Sequence, residues 1–219
     1  MTTTNTNTSP SRGELLTMLT QTAKSTGMGS LLRQFWHPVA LSRDLPNGRA
    51  VPLKVLGEEL TLYRGESGHA HLVAGRCRHR QTLLHTGWVE GDRIRCMYHG
   101  WKFEGDGTCV ERPAEKEQQP PAACRIAGYP VHEYCGLVFA WLGEGPAPAF
   151  DLPRKDALEA DGVVIVATRE TWRINWFQQI ENSLDATHVS FVHRALRVAS
   201  FGDAVTAAIP ELSYAETEA

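Results

Sequence analysis

The chain lacks a long apolar run, is modest in aromatics at 8%, and carries no large excess of charge of either sign. No stretch approaches the roughly 20 apolar residues a helix needs to cross a bilayer. A formal net charge of -3 and a pI near 6.3 leave no footprint for nucleic acid or an anionic membrane. The first ten residues are polar and Thr-rich, with no basic start or apolar h-region. That argues against secretion and for a disordered lead-in on a cytoplasmic protein. Cysteine is scarce too: five in 219 residues is an odd count and no disulfide framework. There are no internal repeats. What remains is an ordinary globular composition, 42% hydrophobic and 21% charged, long enough for one large or two small domains.

Against that plain background two short boxes stand out: Cys77-Arg78-His79 and, sixteen residues on, Cys96-Met97-Tyr98-His99. Two Cys on one iron and two His on the other define a Rieske [2Fe–2S] centre, whereas four thiolates favour plant-type clusters. Neutral imidazoles in place of two anionic thiolates raise the reduction potential, so the spacing points to one-electron chemistry. The alternative is a structural zinc site, because Cys₂His₂ also suits tetrahedral Zn²⁺. Zinc fingers usually pair like ligands, while each box here holds one of each. The second box also continues through the aromatic run Tyr98-His99-Gly100-Trp101-Lys102-Phe103, suited to covering a cluster. Cys109, Cys124 and Cys135 are left over and read as reduced, packed thiols.

The spacing of apolar residues predicts a short amphipathic helix over 13–24, stopped near Gly27 and Gly29. Residues 28–40 lead into a first strand, and from there to about 145 the text is strand-like. β-rich runs at 51–55, 60–63, 70–73 and 136–142 are separated by Gly, Pro, Asn and Asp turns. Both ligand boxes fall between such runs, hence on loops held by an antiparallel sheet assembly. A Gly/Pro/Ala linker at 143–149 precedes a strand at 163–169 and one helix over 176–193.

That helix carries Asn182-x-x-Asp185-x-x-His188-x₄-His193. Two His and a carboxylate make the facial triad of non-haem Fe(II) oxygenases. Asp185 and His188 share a helical face. Residues five apart stand about 140° apart on a regular helix. His188 and His193 can therefore meet one metal only if the helix widens by a π-bulge or breaks. On this segment alone, two ordinary helix histidines are an equal reading.

Taken together the motifs resemble the oxygenase (alpha) subunit of the Rieske non-haem iron oxygenases, in the phthalate 4,5-dioxygenase-like branch. Gly-Met-Gly-x-Leu-x-Arg-x-x-Trp-x-Pro at 27–38, the Tyr98-His99-Gly100-Trp101-x-Phe103 run and residues 136–143 carry the likeness. The resemblance implies a mainly β Rieske domain, a small antiparallel β-sandwich, over 27–145 behind an arm at 1–26. The start of an incomplete α+β helix-grip-type catalytic domain would occupy 146–219. It implies that Cys77, His79, Cys96 and His99 bind [2Fe–2S] and that His188 and His193 bind mononuclear Fe(II). Asp185 would bridge a Rieske His of one subunit to an iron ligand of its neighbour, and Asn182 would sit beside that iron. Single electrons would come from NAD(P)H through a separate ferredoxin or flavin reductase. Iron would activate O₂ for hydroxylation of an aromatic, carboxylate-like substrate, in a homotrimer or larger ring. A Rieske electron carrier without its own oxygenase activity is the second reading.

Departures from the family pattern are Arg78, where Pro is common, and Gln81, where Gly is common. A positive charge at Arg78 is expected to raise the potential slightly. The extra cysteines of cytochrome-type Rieske proteins are absent, with Thr82 and Tyr98 in their places, which points to the low end of a range of roughly −150 to +300 mV. Only 26 residues follow His193, and their acids (Asp203, Glu211, Glu216, Glu218) stand in no recognisable third-ligand context, so a C-terminally truncated catalytic half is expected.

Overall fold

Ser11 starts the first helix of this computed structural model. Its side chain accepts from the Glu14 amide while Glu14 reaches back to the Ser11 amide, a reciprocal capping box. The structure describes residues 9–115, 119–152, 156–162, 168–196, 209–213 and 215; the lead-in at 1–8 and the core of the expected strand at 163–169 lie outside them. Helix α1 (Arg12–Thr20) is shorter than the apolar spacing predicts and buries none of its residues. A second helix, α2 (Gly27–Leu32), forms where the glycines suggested only a stop. Thr26 caps it by accepting from the Gly29 amide, and Gly29 is needed because a Cβ there would collide with the Ala23 carbonyl. Arg33 follows, buried, donating to the Thr22 and Gly29 carbonyls and paired with Glu58. This ties the 27–38 motif to the sheet.

Among the described residues, eleven antiparallel strands follow in the first of two units, Met1–Thr171. One sheet holds β1 (Trp36–Leu41), β11 (Leu137–Trp141) and β10 (Val131–Tyr134). The second runs β2 (Ala50–Val55), β3 (Glu58–Arg64), β4 (Ala70–Ala74), β9 (Gly128–Tyr129). The third is the meander β5 (Trp88–Glu90), β6 (Arg93–Arg95), β7 (Lys102–Phe103), β8 (Cys109–Glu111).

Strands β3 and β4 of the second sheet are buried on both faces, and the period-2 alternation of strands divides their side chains between two cores. Leu60 and Leu62 of β3 and Leu72 of β4 join Ala40, Val138 and Ala140 in one. Tyr63 and Val73 turn the other way and pack with Ile94, Phe103, Cys77 and Cys96 in the second. The two cysteines of the ligand boxes are thus core residues. After β11 the linker has no regular structure. Phe150 anchors its end, with ring centroids 5.4 Å from Trp36 and 5.1 Å from Phe139. A single helical turn, α3 (Asp156–Glu159), follows.

The second unit, Trp172–Ala219, contains α4 (Phe177–Leu184), a π-helical turn at Val189–His193 and α5 (Arg194–Leu196). The single helix expected over 176–193 is therefore corrected. Asp185 is extended (φ −90°, ψ 100°) and ends α4. Its short carboxylate then accepts from the Thr187 amide at 2.9 Å, starting the next turn, as Asp does at helix N-termini.

Candidate metal centres

The two boxes sit on loops of the same construction. In the loop between β4 and β5, the Cys77 amide donates to the Thr82 carbonyl and the Gln81 amide to the Cys77 carbonyl. Between β6 and β7, the Cys96 amide donates to the Trp101 carbonyl and the Gly100 amide to the Cys96 carbonyl. Each loop closes on its own cysteine, and the residue four past that cysteine is left-handed: φ is 57° at Gln81 and 71° at Gly100. Glycine adopts this conformation freely, whereas a side chain costs about 1 kcal/mol or more. The departure at Gln81 therefore leaves the loop geometry in place at a modest cost.

These two turns bring all four residues of the boxes together. Cys77 and Cys96 are 1% and 2% exposed, and the Cys77 thiol contacts Cys96 through a side-chain hydrogen bond. The imidazoles of His79 and His99 meet edge to face, centroids 4.6 Å apart, with His79 half-buried and His99 exposed. Burial pushes the Cys77 thiol up to about 12, opposed by hydrogen bonds from the His79 and Arg80 amides and reinforced by Cys96. Those two amides are aimed at sulfur and suit a thiolate, which metal binding generates by displacing the proton. His79 Nδ1 is buried with no hydrogen-bond partner among the described residues. A metal ion is the partner such an atom lacks, so the donor set fits an iron–sulfur group. Among the described residues no three His, Cys, Asp or Glu converge as ligands of a single ion would. A buried thiol pair and an imidazole pair carried on the same two loops are the donor types of a cluster with two Cys on one iron and two His on the other.

Aromatic packing shields one side of this arrangement. Trp101, 7% exposed, lies parallel to His79, and the Arg112 guanidinium sits 5.7 Å from the Trp101 ring centroid. Tyr98 lies against its sequence neighbour His99, centroids 3.9 Å apart and planes tilted by 37°, yet remains exposed. Trp101 was visible in the sequence only as part of an aromatic run. Arg112, 13 residues past His99 and 33 past His79, gave no signal.

In the second unit the π-helical turn does what the five-residue spacing requires. An i→i+5 hydrogen-bond pattern stacks residue i+5 over residue i. The rings of His188 and His193 accordingly lie 5.2 Å apart. Asp185 approaches one of them: its Oδ2 lies 3.5 Å from His188 Nδ1 without hydrogen-bond geometry, and its Oδ1 accepts from the His188 amide at 3.4 Å. Asn182 is not brought in. Its side chain is exposed without a described contact, and its backbone carbonyl accepts from Asp185. Of the downstream acids, Glu211 is exposed, and Asp203, Glu216 and Glu218 lie outside the described residues. The two rings alone could supply two positions of a mononuclear ion; no third ligand converges on them among the described residues.

Residues 35–131 match the Rieske [2Fe-2S] domain family. The phenoxybenzoate dioxygenase subunit alpha of Ectopseudomonas oleovorans is 39% identical over 200 residues, covering 84% of this chain and 48% of the relative. The 3-chlorobenzoate-3,4-dioxygenase oxygenase subunit of Comamonas testosteroni is 37% identical over 180 residues, covering 80% and 41%. Among solved structures, NdmA of Pseudomonas putida CBB5 superposes with a TM-score of 0.64 at 27% identity, covering 74% of this chain and 51% of that one. The chain spans less than half the length of these two curated relatives. It contains a Rieske [2Fe–2S] domain built from antiparallel sheets. More particularly, over 80% or more of its length it is similar to alpha and oxygenase subunits of dioxygenases, and among solved structures it is similar to dicamba monooxygenase with non-heme iron, at 26% identity and a TM-score of 0.53.

Proposed function

We propose that Cys77, His79, Cys96 and His99 hold a Rieske [2Fe–2S] cluster and that His188 and His193 hold a mononuclear Fe(II), in the oxygenase component of a multicomponent system. The observation that carries this reading is the pairing of two like loops, which brings two buried thiols into contact and two imidazoles edge to face. When bound, the cluster supplies one-electron storage and the iron supplies an O₂ site for hydroxylation of an aromatic, carboxylate-like substrate. The chain's own residues do the positioning. The His79 and Arg80 amides face the Cys77 sulfur, Trp101 keeps water from one side of His79, and Asp185 fixes the start of the helical turn bearing His188. A separate ferredoxin or flavin reductase using NAD(P)H is the electron source, and a homotrimer or larger ring the assembly. The cytoplasm suits five cysteines none of which is disulfide-bonded. Among the described residues no helix is long and apolar enough to cross a membrane.

The test is metal analysis with electron paramagnetic resonance of the dithionite-reduced, anaerobically reconstituted chain. About two irons and two sulfides with a Rieske signal support the cluster; about three irons support both sites. A colourless chain that retains zinc refutes the cluster. Two irons without the third favour the electron-carrier reading for this chain.

A further inference from the structure

The first ligand box reads Arg76-Cys77-Arg78-His79-Arg80, three guanidiniums in five residues of a chain whose formal net charge is -3. All three side chains are exposed. Arg76 is held by Glu59 at 2.8 Å and by the Gln81 carbonyl. Arg78 and Arg80 have no carboxylate within ion-pair distance among the described residues. A cleft of about 300 Å³ opens beside this loop, with Arg76, Arg78 and Arg125 in its walls. Arg125 is held by Asp106, at 3.1 Å. Loop and cleft together thus carry four guanidiniums against two engaged carboxylates, a local positive surface on an acidic chain.

Its position gives that charge a use. Arg78 lies between Cys77 and His79, so a molecule seated on it is one residue from two of the proposed ligands. Free guanidiniums recognise carboxylates by paired hydrogen bonds, and clustered like charge steers an oppositely charged partner over distances that salt shortens. We propose that Arg78 and Arg80, extended by Arg125 across the cleft, form the docking surface for an acidic electron-donor protein whose surface carboxylates pair with them. This rests on the cluster assignment above and adds the kind of partner that delivers its electron. The transfer is balanced: the donor's reduced centre loses one electron and the oxidised cluster gains it.

The experiment is stopped-flow reduction of the reconstituted chain by reduced plant-type [2Fe–2S] ferredoxin, an acidic donor whose all-thiolate cluster lies well below the Rieske range. Cluster content and the resonance signal are checked first. If no cluster forms, the ligand reading has failed and the rates are not read as docking. With the cluster present, the rate constant is expected to fall about tenfold between low and 0.5 M ionic strength. The Arg78→Ala/Arg80→Ala variant is expected to be about fivefold slower at low salt, with most of the salt dependence gone, while Arg78→Lys/Arg80→Lys keeps both. A neutral photoreduced flavin should reduce all three within about twofold, the margin a midpoint shift of a few tens of millivolts allows. A salt-independent wild type, or a double alanine variant matching it, overturns the proposal. An equal slowing with the flavin does so too, since the arginines would then act on the cluster potential. So does strong inhibition by millimolar phosphate at fixed ionic strength, which would assign the cleft to a small anion.

Discussion

The imidazole of His79 lies parallel to the indole of Trp101, with 4.9 Å between ring centroids and 7° between planes. Trp101 closes the second loop through its carbonyl, which accepts from the Cys96 amide, and covers the histidine of the first. One residue therefore couples the two halves of the centre. Trp101→Ala removes a buried ring at a cost of about 3–5 kcal/mol and opens His79 to water. The expected result is a cluster that bleaches at least several-fold faster in air, with Trp101→Phe much closer to the parent. Absorbance decay at 25 °C measures it. Equal bleaching of Ala and parent would show that the stack does not protect the centre.

Arg78 tests the electrostatics of the cluster separately from its docking role. A unit charge at a separation of order 8 Å in a water-like medium is worth about 0.5 kcal/mol, or about 20 mV for one electron. A cation favours the reduced, more negative state, so Arg78→Pro is expected to lower the midpoint by about that much. Redox titration at low salt decides it. An unchanged or higher midpoint in the proline variant contradicts the sign of the argument.

The ligand boxes were legible in the sequence because their residue types and spacing are themselves the chemical constraint. The strands at 51–55, 60–63, 70–73 and 136–142 were legible for a similar reason, each being long enough to show its composition. The meander β5 to β8 was not, since strands of two or three residues such as Lys102–Phe103 have no period to read. Helix α2 was hidden by its glycines, and only the closeness of Gly29 to the Ala23 carbonyl explains why glycine is there. The π-turn was foreseen as a condition, because residues five apart cannot share a regular helical face. The break at Asp185 was missed, since a carboxylate that caps the following turn looks, in sequence, like one more helical position.

That spacing condition can be tested by changing it. Deleting Val192, an exposed residue of the π-turn, leaves the histidines four apart, neighbours on a regular helix. Inserting Ala before His193 makes them six apart, which neither helix type brings together. Millimolar Co(II) added to the chain should give a visible absorption band in the parent and the deletion variant. In the insertion variant the band should fall at least several-fold. The same band in all three would mean the two rings do not share a metal.

The second loop has its own anchor, which makes an acid-limb prediction. Arg95 donates to the Gly100 carbonyl at 2.7 Å and is itself held by Glu90 and Glu111. Lys102, buried, completes the network through the same two carboxylates. Hydrogen bonds from Arg95, then Trp88, hold the Glu90 carboxyl down at about 2, and Lys102 followed by Arg95 holds Glu111 below its usual range. A carboxylate whose folded value is depressed contributes stability that is fully present above its unfolded value near 4.3. That stability is lost as pH falls through the folded value. The stability lost between about pH 4.5 and pH 2 should therefore be smaller in Arg95→Met than in the parent. At pH 7 the same variant loses charge-assisted bonds to both acids, a cost of about 2 kcal/mol or roughly 4–8 °C in Tm. Hydrogen exchange at residues 97–100 should rise as Gly100 loses its tether. Thermal melts across pH with exchange mass spectrometry read both effects. An acid limb as steep as the parent's, with exchange unchanged, would mean that Arg95 neither depresses the carboxylates nor holds the loop.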